Sequence, residues 1–359
     1  MIEKNELPIH IENIESVTEC WTYNRLTIVK NSPYYRDWIA SHYNLYVDTK
    51  LYNFTFGENN KISPSYYEEI LLRQPLCLFE LTRDNVVMTL KEQLKNRYYL
   101  ILFIKPYKDD DYFHEMLFYG YDDNEQNFLT VGLKDRQFQT ITFQYSYIEN
   151  TIEEVKNFFL NKQEYGMKLS LIYQYPFTAF KLNPAYDPVN CPFEAYKKLI
   201  NELNGKVIFK NSIFEIDVYE DKEYAQIYTG INCLVAFRQV LQNEIRGNAF
   251  SPWFRGITSA TKKLLEHRRM VKLSMEYLLE KWDKALNENA VSGAEDYSLC
   301  ITTVEKWLNM CLKYEQSQDK ALLERIFEEV PDALEKEKRS LDSFVNHGVD
   351  WELFNKNYI

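Results

Sequence analysis

Glycine and proline are scarce in this 359-residue chain, which has 10 Gly and 11 Pro. An average protein carries roughly 7% and 5%. The glycines sit at 57, 120, 132, 166, 205, 230, 247, 256, 293 and 348, so no two are closer than nine positions. Phosphate loops, dinucleotide fingerprints, kinase loops and the Gly-x-Ser-x-Gly elbow are built on closely spaced glycines and are therefore excluded. Long apolar runs are also missing. Leu100–Ile104 is typical at five residues, whereas a membrane-spanning helix needs about 18 or more. A basic surplus is absent too, with 42 Lys and Arg against 53 Asp and Glu, a net charge of −11. A general nucleic-acid binder would be basic, so neither a nucleic-acid nor a membrane partner is expected. The polar, acidic start Met1–Leu7 predicts no signal peptide. Six cysteines without such a signal read as reduced thiols in the cytoplasm. No Cys-x-x-Cys occurs, and His114-Glu115 has no second His at metal-ligand spacing, so no metal site is expected.

Aromatic residues are abundant: 28 Tyr, 22 Phe and 6 Trp. A chain of this length supports a large core and two domains. Thr18-Glu19-Cys20 reads as a helix start, with Thr18 as cap and Glu19 at the positive end of the dipole. The stretch 34–56 fits no single type. Tyr66–Arg73 reads as a helix after Pro64. Then come a short amphipathic helix from Leu90, an apolar strand run from Tyr98 to Lys105, and two strand runs, His114–Tyr121 and Phe128–Leu133, around a polar turn. Two β runs so separated predict a hairpin. Gln139–Tyr145 reads as a third strand and Ile148–Leu160 as a helix. The loop after 182, with Pro184, Pro188 and Pro192, marks the boundary between regions 1–182 and 183–359. Beyond it, helices are predicted over Phe193–Leu203, Gly230–Arg246, Thr258–Leu286, Ser298–Tyr314 and Asp319–Phe344, with strand character in Lys206–Tyr219. The fold class is α+β, with a mostly antiparallel sheet followed by a helical region.

Among the cysteines, Cys77, Cys233, Cys300 and Cys311 lie in apolar periodic stretches and read as small core fillers. Cys191 lies in a loop. Cys20 differs, because a thiol in the first turn of a helix faces the positive end of the dipole, which favours the nucleophilic thiolate. Histidine occurs at 10, 42, 114, 267 and 347. His114 begins a strand, where it can face a helix terminus. His267, inside Glu266-His267-Arg268-Arg269, reads as part of a solvated helix face. Lys262, Lys263, Arg268, Arg269 and Lys272 concentrate basic charge there and suit an acidic docking partner.

A Cys opening an early helix and a His starting a strand about 90 residues later is the order of papain-like cysteine enzymes. The stretch His114-Glu-Met-Leu-Phe-Tyr-Gly-Tyr-Asp-Asp, followed by Phe128-Leu-Thr-Val, resembles the His-strand hairpin of peptidase family C39-like proteins. More closely, the chain resembles the butirosin-biosynthesis protein H N-terminal family. That likeness includes Cys20-Trp-Thr-Tyr-Asn24, Tyr228-Thr-Gly230-Ile and Leu265-Glu-His-Arg-Arg-Met270. The resemblance implies a papain-like core over 1–182, with region 183–359 completing or covering the cleft. It also implies an amide-forming acyltransferase of antibiotic biosynthesis with no bound cofactor. An acyl or peptidyl carrier protein presents the acyl group on its phosphopantetheine arm, Cys20 accepts it, and an amine takes it with His114 as general base. A thioesterase, a cysteine peptidase or a non-catalytic carrier- or peptide-binding member are the alternatives. Two positions depart from the family pattern. Gly132 stands where an orienting Asp is expected, with Asp135 just beyond it. Ile14 stands where an oxyanion-stabilising Gln is expected, with Asn13 the nearest amide. The basic patch on the helix from Thr258 is the expected carrier-docking face.

Overall fold

The computed structural model describes residues 3–12, 18, 20–48, 53–58, 67, 69–105, 113–134, 137–161, 177–210, 225–248, 250 and 256–358. It combines helices with antiparallel sheets in two compact units. One consists of Met1–Tyr35 with Pro64–Tyr186, the other of Arg36–Ser63 with Asp187–Ile359. The second unit thus borrows a segment from early in the chain, and the boundary after the sheet falls at Tyr186 rather than at 182. A linear reading of composition has no means of finding that exchange, because the borrowed segment is set apart only by what it pairs with.

The first unit is built on a sheet ordered β4-β9-β5-β6-β7-β8, with β1 added alongside β6. The strands are β1 (Lys4–Glu6), β4 (Leu71–Pro75), β5 (Tyr99–Ile104), β6 (His114–Asp122), β7 (Asn127–Lys134), β8 (Gln137–Gln144) and β9 (Phe177–Leu182). Every pairing is antiparallel. Leu100, Leu102, Met116, Leu117 and Phe118 are fully buried, as expected of central strands covered on both faces. Helix α1 (Cys20–Val29) packs against this sheet, as do α3 (Val86–Lys95) and α4 (Tyr145–Asn161). Gly120 is required by a close approach: a Cβ there would lie 2.5 Å from the Asn5 carbonyl of β1. The helix expected over Tyr66–Arg73 is not formed at its end, where Leu71–Pro75 is instead the edge strand paired to β9. Tertiary pairing overrides local propensity there.

The second unit has its own antiparallel sheet, ordered β10-β11-β2-β3, from β2 (Tyr43–Asp48), β3 (Asn53–Glu58), β10 (Val207–Lys210) and β11 (Ala225–Thr229). Its helices are α2 (Tyr35–His42), α5 (Cys191–Asn204), α6 (Asn232–Arg246), α7 (Ile257–Lys281), α8 (Glu288–Ser317), α9 (Ala321–Val345) and α10 (Trp351–Tyr358). Pro331 lies inside α9, and its missing N–H leaves the carbonyl of Phe327 without its helical partner. Arg238 of α6 fills the vacancy: Nε donates to that carbonyl at 3.3 Å, and the guanidinium lies 4.1 Å from the Phe327 ring centroid. Among the described residues, no helix is long and apolar enough to cross a membrane.

Candidate functional site

Cys20 is the first residue of α1 and is partly exposed, and His114 is the first residue of β6 and is also partly exposed. The contacts that position these two elements lie immediately beside them. One turn into α1, Asn24 Nδ2 donates to the Glu115 carbonyl at 3.2 Å and to Glu115 Oε1 at 3.3 Å. Arg25 Nη1 donates to Glu115 Oε1 at 3.1 Å, and its guanidinium sits 5.1 Å from the Phe180 ring centroid of β9. Tyr23 stacks on Phe138 of β8 at 3.8 Å and donates to the Ile11 carbonyl at 2.6 Å. Three consecutive residues therefore fasten α1 to three strands and to the N-terminal segment. Burial pushes the Tyr23 phenol up to about 12. Burial also raises the Glu115 carboxyl above its ordinary value, against the opposing pull of Arg25 and Asn24.

Strand alternation turns Glu115 toward α1 and Met116 to the other side. The Met116 thioether lies over Gly132, where a Cβ would fall 2.1 Å from Cε and 2.3 Å from Sδ. Gly132 is buried, so the place that an orienting carboxylate would need holds a methionine instead. Asn13 and Asp135 lie outside the described residues, as do Asp109–Asp111. An open cleft of ≈ 630 Å³ lies at the opposite end of β6, against Lys91, Asp123 and Tyr145, and neither Cys20 nor His114 lines it. Among the described residues, no group of three or more His, Cys, Asp or Glu is placed to hold a metal ion.

The basic stretch of α7 is not the exposed face its sequence suggests. Arg268 and His267 are fully buried and Lys263 nearly so, and Lys263 donates to the Phe54 carbonyl of β3. His267 Nε2 meets Glu202 Oε1 of α5 at 2.9 Å, and Arg268 Nη1 meets His267 Nδ1 at 3.2 Å. Arg268 has only donors, so Nδ1 accepts and Nε2–H donates to Glu202. Arg268 also grips Glu337 of α9 through Nε at 3.3 Å and Nη2 at 3.1 Å, and Tyr297 Oη of α8 donates to Glu337 Oε1 at 3.1 Å. Burial would raise the Glu202 carboxyl, but His267, Arg268 and Lys198 hold it below its ordinary value. Lys198 Nζ donates to Ser274 Oγ at 3.0 Å, and burial pulls its amine down to about 7. Only Arg269 of the five is exposed, and it pairs with Glu305 at 2.8 Å, while the half-buried Lys272 pairs with Glu276 at 3.3 Å. With Lys263 and Arg268 engaged inside the unit, the five residues do not make one docking face. Packing of α7 against β2, β3, α5, α6 and α8 explains the misreading, since a helix covered around most of its girth buries charges that a two-sided pattern assigns to solvent.

Two cysteines also differ from their sequence reading. Cys77 is exposed, and Cys191 is the buried first residue of α5. Cys233, Cys300 and Cys311 are buried, and burial raises the thiols of all three. No protein-family model matches the chain, and no curated protein matches it.

Proposed function

We propose that the protein is a cysteine-dependent acyltransferase with a papain-like core, in which Cys20 forms an amide in two steps. In the first, the Cys20 thiolate attacks the carbonyl of a carrier-protein thioester. The C–S bond to the phosphopantetheine arm breaks, and the departing thiolate takes a proton from the protonated His114. In the second, an amine attacks the Cys20 thioester, Cys20 leaves as thiolate, and His114 accepts the amine proton. The observation that supports this reading is the fastening of α1 by Asn24 and Arg25 to Glu115. It sets the positive end of the helix, with Cys20 on it, close to the strand that His114 begins, and that end of a helix favours a thiolate.

The decisive experiment is incubation with an acyl-loaded carrier protein, followed by mass spectrometry of the peptide holding Cys20. An acyl adduct on Cys20 is expected, with discharge to an amide on adding amine and loss of both in Cys20→Ala. Full transfer by Cys20→Ala would overturn the assignment, and release of free acid in the presence of amine would mark a thioesterase. Met116 over Gly132 favours a second reading, a member of the same fold that binds a carrier or peptide without catalysis. Its mark would be carrier binding by the wild type with Cys20 unmodified.

A further inference from the structure

The carboxyl of Glu115 is satisfied on one side only. Oε1 accepts from Asn24 Nδ2 at 3.3 Å and from Arg25 Nη1 at 3.1 Å. Oε2 is buried and has no hydrogen-bond partner among the described residues, and the same holds for Asn24 Oδ1. Asn24 Nδ2 also donates to the Glu115 carbonyl at 3.2 Å. A carboxylate has two accepting oxygens, and leaving one of them bare in a buried site is costly. A carboxylic acid is asymmetric in the sense seen here, with a carbonyl oxygen that takes two donors and a hydroxyl that gives one. The two bare atoms belong to groups already joined through Nδ2 and Oε1, and one proton between them satisfies both.

We propose that Glu115 is a positioning residue worked by a proton. Protonated, its Oε2–H donates to Asn24 Oδ1 and closes a two-bond ring between carboxyl and amide. Ionised, it is held by Arg25 and Asn24 Nδ2 with two acceptors left bare. Asn24 and Arg25 face it from α1 and Phe103 stands opposite on β5, and Arg25 is the one charged group among these. Burial outweighs the pull of Arg25 and raises the carboxyl above its ordinary value, so the proton is held where exposed carboxylates have lost theirs. Asn24 lies one turn beyond Cys20 on the same face of α1. Closing the ring therefore fixes the turn that carries Cys20. That last step rests on the reading of Cys20 as the nucleophile, whereas the proton itself does not.

The test begins with infrared spectra of the wild type and of Glu115→Gln as a function of pH. Glutamine places an N–H where the acid has its O–H, so it closes the ring without titrating. The wild type is expected to show the carbonyl band of a buried carboxylic acid, fading as pH rises past the ordinary carboxylate value, and the variant to lack it. Absence of that band from the wild type overturns the proposal and marks an ionised Glu115 with water on Oε2. Alkylation of Cys20 by iodoacetamide supplies the second readout. Its pH profile is expected to carry the step of the infrared band besides the ionisation of the thiol, and Glu115→Gln to keep only the thiol's. Glu115→Ala, which cannot close the ring at any pH, is expected to slow acylation of Cys20 by a loaded carrier at least about tenfold relative to Glu115→Gln. Equal rates in the two variants, or a step that survives in Glu115→Gln, overturn the positioning role. A wild type that shows the band but leaves Cys20 unacylated would instead sink the acyltransferase reading and leave the proton in place.

Discussion

Each unit buries an ion pair, and the two pairs are finished to different degrees. In the first unit Arg25 meets Glu115, and Glu115 Oε2 and Asn24 Oδ1 find no hydrogen-bond partner among the described residues although both side chains are buried. In the second, Arg268 is held by two bonds to Glu337, which also accepts from Tyr297, so that pair is complete, and His267 bridges Arg268 to Glu202, whose Oε2 alone has no hydrogen-bond partner among the described residues. A buried charge network stabilises a fold only when its members satisfy one another, and a half-satisfied one costs free energy. The completed Arg268–Glu337–Tyr297 part of the α7 network thus acts as an internal tie between α7, α8 and α9. The Arg25 pair lies beside Cys20 and His114, where unspent polar atoms accompany a candidate reaction centre. The two partners of such a pair also differ in what their loss leaves behind. A carboxyl can escape burial by taking a proton, whereas a guanidinium cannot release one.

That difference can be broken at its strongest point. Glu337→Leu leaves Arg268 charged inside the second unit and is expected to cost about 3–5 kcal/mol in denaturant unfolding. The loss should be nearly constant between pH 5 and 9, because the guanidinium stays charged throughout. Arg25→Met should cost less, because Glu115 can neutralise. Burial already raises that carboxyl above 4.5, so the folded state holds its proton more tightly than the unfolded chain does. Stability from this group therefore falls as pH rises above that value, and the variant should lose about 1 kcal/mol at pH 5 and about 3 at pH 8. Equal losses at both pH values would show that Glu115 stays ionised without Arg25. Lys198→Met is expected to have the smallest effect, with the opposite pH sense. Its amine sits at about 7 in the fold against 10.5 unfolded, so between those values the unfolded chain binds more protons and wild-type stability climbs with pH. Glu202 and Ser274 face the amine, and methionine removes the titrating group. The climb should flatten, and the variant should gain roughly 1–2 kcal/mol at pH 6.

The elements that the sequence made legible are those whose pattern is local. The His114–Tyr121 and Phe128–Leu133 hairpin forms as β6 and β7 around residues 123–126, and α5 ends at Gly205 in the left-handed region that glycine favours. Cys20 does open a helix, because its setting is a matter of adjacent residues. The rest depended on partners far along the chain. The strand at Leu71–Pro75 exists because β9 pairs with it, and α10 is missing from the expectations because it is short and docks through Phe354 against Trp282 at 4.8 Å between ring centroids. Arg25 and Glu115 could not be singled out among so many charges, since 90 residues separate them.

Composition by itself determined which glycine-built motifs this chain does not contain. Ten dispersed glycines exclude the loops that cradle phosphates, and that exclusion holds however the chain folds, because a missing residue type cannot be supplied by packing. Periodicity by itself determined helix and strand where one face repeats. Which charges are buried and what occupies the place above Gly132 were decided only by tertiary structure. Burial depends on what stands opposite a residue, and for Met116 above Gly132 or Glu337 against Arg268 the opposing group lies far along the chain.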